Sequence, residues 1–471
     1  MPEIVLTTGA QHQNATTLAA ALGLTEARAA ELLDLTVLVT ADPTDLTALA
    51  LASDVVELLS RTVREATRDL PAGRVAAELV IGAALGRTDA KHIFVQVNEH
   101  GAAMFQNQPT SVEPCAPIHR LLCAWIACYT CAVVLSRAVD VDLPFNLPIP
   151  FKLSFDVLGL DLAALDQPVD ISHAYLAGAG AIGNGLLWAG RHLDLRGRLD
   201  ITDDDVVDSG NLNRQVWFQA TDIKAGKAER LALRAQPFFP NLKLVPRPCR
   251  LQGLDERSSG AWLPRLIVAV DSRRARRALQ SEIPGEVFDA STTDIREVVV
   301  HYHRQPTDFA CLSCIYAPDT VEFSRESHVA EHLGVSVEEV RSERITAATA
   351  AQIQARFPHL QVEDLVGLAY DSLFRSLCGE GALKSTTQRE QTAPFAFVSC
   401  LACVMLAFEL VRRLGHSDSE RDFNYWCISA WHPPLAQRRR LRSRQAGCAF
   451  CSNSTFRAVN ATLWMLTRTG I

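Results

Sequence analysis

Apolar positions in the first third of the chain recur with two different periods. Three-to-four spacing in "TEARAAELLDL" (25–35) and in "DVVELLSRTVREATRDL" (54–70) predicts helices. "HIFVQV", His92 to Val97, reads as a strand. "LLCAWIACYTCAVVL", Leu121 to Leu135, is apolar almost throughout and is bounded by Arg120, Ser136 and Arg137. Its length is short of the ~20 residues that cross a bilayer, so a buried helix is predicted. Cys123, Cys128 and Cys131 then serve as small core residues. The proline-punctuated "LPFNLPIP", Leu143 to Pro150, reads as a linker.

From residue 151 onward the pattern becomes strand, turn, helix, strand. "HAYLA", "RLDIT", "NLKLVPRP", "LIVAV" and "EVVVHYH" read as strands, and "NGLLWAGRHL" and "AERLALRAQPFF" as helices between them. Repeated β-α-β units imply a Rossmann-like, open, mostly parallel sheet with helices on both faces. Residues 317–392 are polar, charged and helical, and then "APFAFVSCLACVMLAFELVRRL" returns as a long apolar helix. The expected division is an N-terminal α/β domain, 1–150, and a nucleotide-binding domain, 151–471, carrying 317–392 as a crossover insertion.

Composition narrows the function. With 471 residues, two domains are expected. A net charge of -7 argues against broad nucleic-acid binding. The N-terminal "MPEIVLTTGAQHQ" has neither a basic nor an apolar leader segment, so a cytoplasmic protein with no membrane span is expected. Its 13 cysteines are then reduced thiols, metal ligands or nucleophiles.

Candidate chemistry starts at "GAGAIGNG", 178–185. Gly178, Gly180 and Gly183 form G-x-G-x-x-G between a strand and a helix, a turn that brings backbone N–H groups to a phosphate. Asp203 ends the next strand, where an acid meets ribose hydroxyls. These features suit NAD and ATP equally. The stretch "DDDVVDSGNLNRQVWF", 203–218, separates the two. Arg214 and Lys227 supply positive charge for a triphosphate, and Asn211 and Gln215 add hydrogen bonds. An adenylation site needs such cations because pyrophosphate leaves with developing charge. Asp271 closes the strand "LIVAV" at the ligand crevice, where Mg²⁺ binding is its natural role. "CLSC" (Cys311, Cys314) and "CAFC" (Cys448, Cys451) make two thiolate knuckles, together a closed structural zinc site.

This set resembles the ThiF/MoeB/E1-like adenylating superfamily, over roughly 170–455. "GAGAIG", "DDDVVDSGNLNRQ", Lys227, "VAVDSRRARR", both cysteine doublets and "APFAFVS" carry the resemblance. It implies Asp203 as the ribose-binding acid, Asp205, Asn211, Arg214, Gln215 and Lys227 as nucleotide contacts, and Asp271 as the Mg²⁺ acid. Ser272 departs from the asparagine common after that acid. The implied activity is ATP-dependent adenylation of the C-terminal glycine of a ubiquitin-like protein. A thioester on an enzyme cysteine and transfer to an E2-like carrier follow in conjugating members. The alternative is a sulfur-carrier or peptide adenylyltransferase with no obligatory thioester.

Among the remaining cysteines, Cys249, Cys400, Cys403 and Cys427 lie in or beside apolar segments. Cys378, in "SLCGEGALKSTTQ", is flanked by glycines and polar residues within the crossover insertion, and is the expected acceptor. Adenylation domains of the superfamily work in pairs, so residues 1–150 are expected to be a degenerate inactive half, making an internal pseudo-dimer. A homodimer is the other arrangement. Some bacterial conjugation systems of this type are linked to phage defence. "QRRRLRSR", Gln437 to Arg444, is either a solvated basic face or a strip that steers an acidic partner protein.

Overall fold

The computed structural model describes residues 6–378 and 393–465, apart from 140, 142, 144, 146, 259–261, 294, 319, 343 and 416–422. Threonine caps open the chain. Thr7 and Thr25 accept backbone N–H groups at the starts of α1 (Thr8–Leu22) and α2 (Glu26–Leu33). Then come β1 (Thr36–Ala41), α3 (Leu46–Leu59), β2 (Glu65–Thr67), β3 (Ala77–Ile81), β4 (Lys91–Asn98), β5 (Gly101–Phe105), α4 (Arg120–Ala138) and β6 (Phe151–Ser154). The predicted helix over 54–70 is corrected here. α3 stops at Leu59, and residues 65–67 pair in parallel with β1 instead. Thr36 Oγ1 donates to Glu65 Oε2 at 2.9 Å across that pair, so tertiary pairing overrides the local spacing.

The first sheet runs β2-β1-β3-β4-β5-β6, parallel as far as β4 and antiparallel beyond it. β6 belongs to it, a few residues past the divide expected at 150/151. The second unit contains β7 (Val169–Ala177), α5 (Ala181–Gly190), β8 (Leu195–Thr202), α6 (Lys227–Ala235), β9 (Leu242–Arg247), β10 (Arg265–Val268), α7 (Arg273–Gln280), β11 (Glu286–Thr292) and β12 (Val298–Arg304). The insertion carries α8 (Leu312–Ile315), α9 (Thr320–Leu333), α10 (Val337–Arg341), α11 (Ala347–Arg356), α12 (Val362–Leu365) and α13 (Tyr370–Cys378). Helices α9 to α13 surround a small core of their own, including Val329, Leu333, Ile353 and Phe374. The chain returns as α14 (Ala396–Leu414), β13 (Tyr425–Ile428), β14 (Arg439–Arg440) and α15 (Ser454–Met465).

The second sheet runs β14-β13-β12-β11-β10-β7-β8-β9. It is parallel from β9 to β11 and antiparallel from β12 outward. The fold is therefore the expected Rossmann-like α/β arrangement, built twice on one plan. β1-α3-β2 corresponds to β7-α5-β8, the strands β3 and β4 to β10 and β11, and β5-α4-β6 to β12-α14-β13.

The two 19-residue apolar helices α4 and α14 pack on each other, with α3 beneath one and α5 beneath the other. Trp125 meets Phe408 edge-on at 6.5 Å in this contact. Among the described helices only α4 is long and apolar enough to cross a membrane, and 89% of its apolar window is buried inside the fold. A buried ion cluster ties the halves together. Arg191, just after α5, reaches Asp54 (3.2 Å) and Glu57 (3.1 Å) of α3, and Trp188 Nε1 donates to Glu57 at 3.0 Å.

Candidate functional site: a glycine turn facing two loops

β7 hands over to α5 through Gly178-Ala179-Gly180. Gly178 has φ +103°, and a Cβ there would sit 2.8 Å from the Ala269 carbonyl oxygen of the neighbouring crossing chain. A Cβ on Gly183 would lie 2.3 Å from the Gly178 oxygen, so the helix seats directly on the turn. Gly180 differs. It caps α5 without a side-chain hydrogen bond, and nothing lies within 4 Å of where its Cβ would be. The N-terminus of α5 thus has no side-chain cap and open space beside Gly180, an arrangement compatible with phosphate.

Asp203, at the end of β8, turns both carboxylate oxygens inward. Oδ2 accepts from Ala179 N at 2.6 Å and Oδ1 from Asp205 N at 2.9 Å. Burial raises its pKa above the ordinary 3.8, while the Lys227 charge and the two amides pull it back. Lys227, at the first position of α6, forms an ion pair with Asp205. Asn184 joins the turn to the following loop. Its Nδ2 donates to Ala179 O at 2.8 Å and Gly180 O at 3.0 Å, and its Oδ1 accepts from Trp217 N at 3.1 Å. An asparagine inside an otherwise apolar helix was the sequence signal for this role.

The 3-10 turn Ser209–Asn213 carries the other expected contacts. Asn211 Oδ1 accepts from Asp208 N at 3.0 Å, and Arg214 donates to Asn213 Oδ1 at 2.8 Å. Gln215 Oε1 is buried with no hydrogen-bond partner among the described residues. The turn packs against α1: Thr7 Oγ1 donates to Ser209 O at 2.8 Å, and Asn213 Nδ2 to Asn14 Oδ1 at 2.9 Å.

Across from the glycine turn, β10 continues as Ala269-Val270-Asp271. Ala269 N donates to Ala177 O at 2.9 Å, which sets this crossing chain beside the turn. Asp271 is exposed there. Ser272 caps α7, its Oγ accepting from Ala275 N at 2.9 Å, which accounts for a serine at this position. Beneath lies a buried support that sequence reasoning missed. Arg276 donates to Val270 O at 2.5 Å and pairs with Asp289 of β11. Tyr316 donates to Asp289 Oδ2 at 2.5 Å, and Arg276 lies over its ring at 5.0 Å. Tyr316 follows α8, so this chain of contacts links the exposed acid to the cysteine module. Its members are far apart in sequence, and no local pattern announces them.

The module itself brings Cys311, Cys314, Cys448 and Cys451 together, buried, with all sulfurs within 4.8 Å of one another. Four of the Sγ–Sγ separations are 3.8, 3.9, 3.7 and 3.2 Å. Tetrahedral zinc with bonds of ~2.3 Å sets sulfur edges of about 3.8 Å, so the donor set fits a metal such as zinc. The first doublet begins α8 and the second precedes α15.

Cys378 ends α13; its side chain and residues 379–392 lie outside the described residues. Cys400 and Cys403 are fully buried, and Cys403 Sγ donates to Ile182 O at 3.1 Å. Burial pushes the Cys249 and Cys427 thiols above their ordinary value.

An open sheet with a carboxylate facing its glycine turn belongs to the nucleotide-binding α/β class. The chain is a member of the ThiF family: the "ThiF family" description matches residues 163–450, and "E1 N-terminal domain" matches 7–161. It is similar to "Uncharacterized protein y4jF" of Sinorhizobium fredii (strain NBRC 101917 / NGR234), 31% identical over 273 residues, covering 54% of this chain and 51% of that one. It is 30% identical over 128 residues to mouse (Mus musculus) ubiquitin-like modifier-activating enzyme 7, covering 26% of this chain and 13% of that enzyme. Thus it matches about half the length of the first relative and a small fraction of the second. A crystal structure of E. coli MccB with ATP aligns at 12% identity and TM-score 0.39, over 77% of this chain and 98% of that one.

Proposed function

We propose that this enzyme adenylates the C-terminal glycine of a ubiquitin-like protein and passes the acyl group through Cys378 to an E2-like carrier. The observation that carries the adenylation step is the uncapped turn at Gly180, with Asp271 beside it and Arg214, Gln215 and Lys227 on the loops that follow. The substrate carboxylate attacks the α-phosphorus of ATP, one P–O bond forms, and the bond to pyrophosphate breaks. No base is needed, because the carboxylate is already ionised. Catalysis is positioning plus charge neutralisation. Gly178, Gly180 and Gly183 cradle phosphate, Asp203 holds the ribose, and Asp205 and Asn211 shape the loop that presents the cations. Asp271 would hold Mg²⁺, which when bound would neutralise charge on the leaving pyrophosphate. Zinc at the four cysteines is structural, since the set has no open ligand position.

In the second step the Cys378 thiolate attacks the acyl carbon, a thioester forms, and AMP leaves with its electron pair. The relatives named for activating ubiquitin-like modifiers, and the E1 N-terminal domain match, support this over the sulfur-carrier or peptide alternative. The matched topology of the two halves and the α4–α14 contact support an internal pseudo-dimer. We extend the proposal to action in the cytoplasm, with a role in phage defence as its biological context.

ATP–pyrophosphate exchange tests the reading, using glycine-terminated ubiquitin-like proteins as candidate substrates. Asp271→Asn should lower exchange by about a thousandfold. Cys378→Ala should retain exchange and lose a thiol-reducible conjugate. A conjugate that survives Cys378→Ala excludes Cys378 as acceptor, and a preference for NAD over ATP overturns the whole reading.

A further inference from the structure

Arg61 lies in the first unit, in the turn between α3 and β2, and is buried at 4% exposure. Among the described residues its guanidinium meets no carboxylate within ion-pairing distance. Instead it reaches across to the second unit and donates to backbone carbonyls: Leu212 O at 2.7 Å, Val216 O at 2.6 Å and Phe218 O at 3.5 Å. Leu212 and Val216 bracket Arg214 and Gln215. A second connection closes the ring. Arg214 donates to Asn213 Oδ1 (2.8 Å), Asn213 Nδ2 to Asn14 Oδ1 (2.9 Å), and Asn14 Nδ2 to the carbonyl oxygen of Arg61 itself (2.7 Å). Burying a cation against carbonyls alone is expensive in free energy, as the lowered pKa of Arg61 from burial reflects. Hydrophobic packing would hold two units together without it. What the guanidinium adds is geometric: a rigid, forked donor that fixes the backbone on both sides of one dipeptide.

We propose that Arg61 is a positioning residue for the triphosphate, setting the direction in which Arg214 and Gln215 leave the loop. The first unit then contributes to nucleotide discrimination without touching the nucleotide. This rests on the ATP reading above.

The test is calorimetric binding of Mg·ATP and of AMP to the full chain. On the ATP reading, adenosine and the α-phosphate sit at Asp203 and the glycine turn, which meets the Arg61-held loop through the Asn184–Trp217 bond and not through Arg214 or Gln215, so AMP binding should depend on Arg61 much less than ATP binding does. Arg61→Met should weaken Mg·ATP binding by about tenfold and AMP binding by less than about twofold. Arg61→Lys, which reaches fewer than the three carbonyls that Arg61 holds, should fall between Arg61→Met and wild type. A merely structural role would lower thermal stability and leave the ATP-to-AMP affinity ratio unmoved, and that result in folded Arg61→Met overturns the proposal. Should Arg61→Met not fold, Asn14→Ala opens the same ring from its other side, and an unchanged ratio there is equally fatal. Wild-type protein that binds neither nucleotide removes the ATP reading itself, and this inference with it.

Discussion

The two halves of this chain share a topology and differ where a phosphate would sit. In the second half, the strand β7 leads through Gly178-Ala179-Gly180 into a helix with no side-chain cap. In the first half, β1 leads through Asp42-Pro43-Thr44 to Asp45, which caps α3. Asp45 Oδ1 accepts from Ala48 N at 2.8 Å and Oδ2 from Cys115 N at 2.6 Å. A carboxylate already occupies the helix N-terminus and takes one of its first-turn N–H groups, and it would repel phosphate besides. The neighbouring strands diverge too. Ile81 and Val268 are the last paired residues of β3 and β10, and three residues on stand Ala84 in one half and Asp271 in the other. On the proposed reading of the first half as an inactive copy, these two exchanges remove a nucleotide site while the sheet is kept. The first half contributes helices to one face of the α4–α14 contact, and α1 with the Arg61 turn forms a bed for residues 209–218.

Swapping the feature tests the comparison most sharply. Gly180→Asp places a carboxylate where the first half carries one, at a position with room for it and ordinary backbone angles. ATP affinity should fall by about a hundredfold while the fold gains about 1 kcal/mol from the new cap. Opposite signs for binding and stability are the signature. A variant that loses both would show that Gly180 is needed for the backbone and not for phosphate.

The contact between the halves offers a smaller effect, read by pH. The Asp54 carboxyl is pushed up to about 6, chiefly by burial, with Arg191 and Arg120 pulling it back. Unfolded, it titrates near 3.8. Between those values the folded protein holds a proton that the unfolded chain releases. Its contribution is therefore fully present below the unfolded pKa and is lost as pH rises through the folded one. Asp54→Asn should gain on wild type between about pH 4 and pH 7, by on the order of 2 kcal/mol. Parallel stability curves in urea across that range would show that the cluster does not titrate.

The second half was far more legible in sequence than the first. β7, α5, α14 and the cysteine doublets follow period, turn glycines or fixed spacing, and each survives as a local signal. β2 was not legible, because its three residues are strand only through pairing with β1. The repeat itself left no trace, since "ADPTD" and "AGAG" share no residue chemistry although they occupy corresponding turns. At the site, Gly178, Asp203, Arg214 and Asp271 stood out by motif. Arg61, Arg276 and Tyr316 did not: each acts on a residue that is near in space and distant along the chain.

Ser272 marks the smallest difference between the halves. β10 is followed by a capped helix, α7, whereas residues 82–90 link β3 to β4 without one. The Ser272 hydroxyl satisfies one N–H of that helix and adjoins Asp271. Ser272→Ala should cost about 1 kcal/mol of stability. Ser272→Asn keeps an acceptor at the same place and should cost only a few tenths. If asparagine costs as much as alanine in thermal unfolding, the hydroxyl acts through packing rather than through the cap. Exchange activity separates the remaining consequence. A loosened first turn of α7 frees the backbone at Asp271 but leaves the Arg276 bond to Val270 in place, so Ser272→Ala should slow ATP–pyrophosphate exchange only about two- to threefold, against the thousandfold expected for Asp271→Asn.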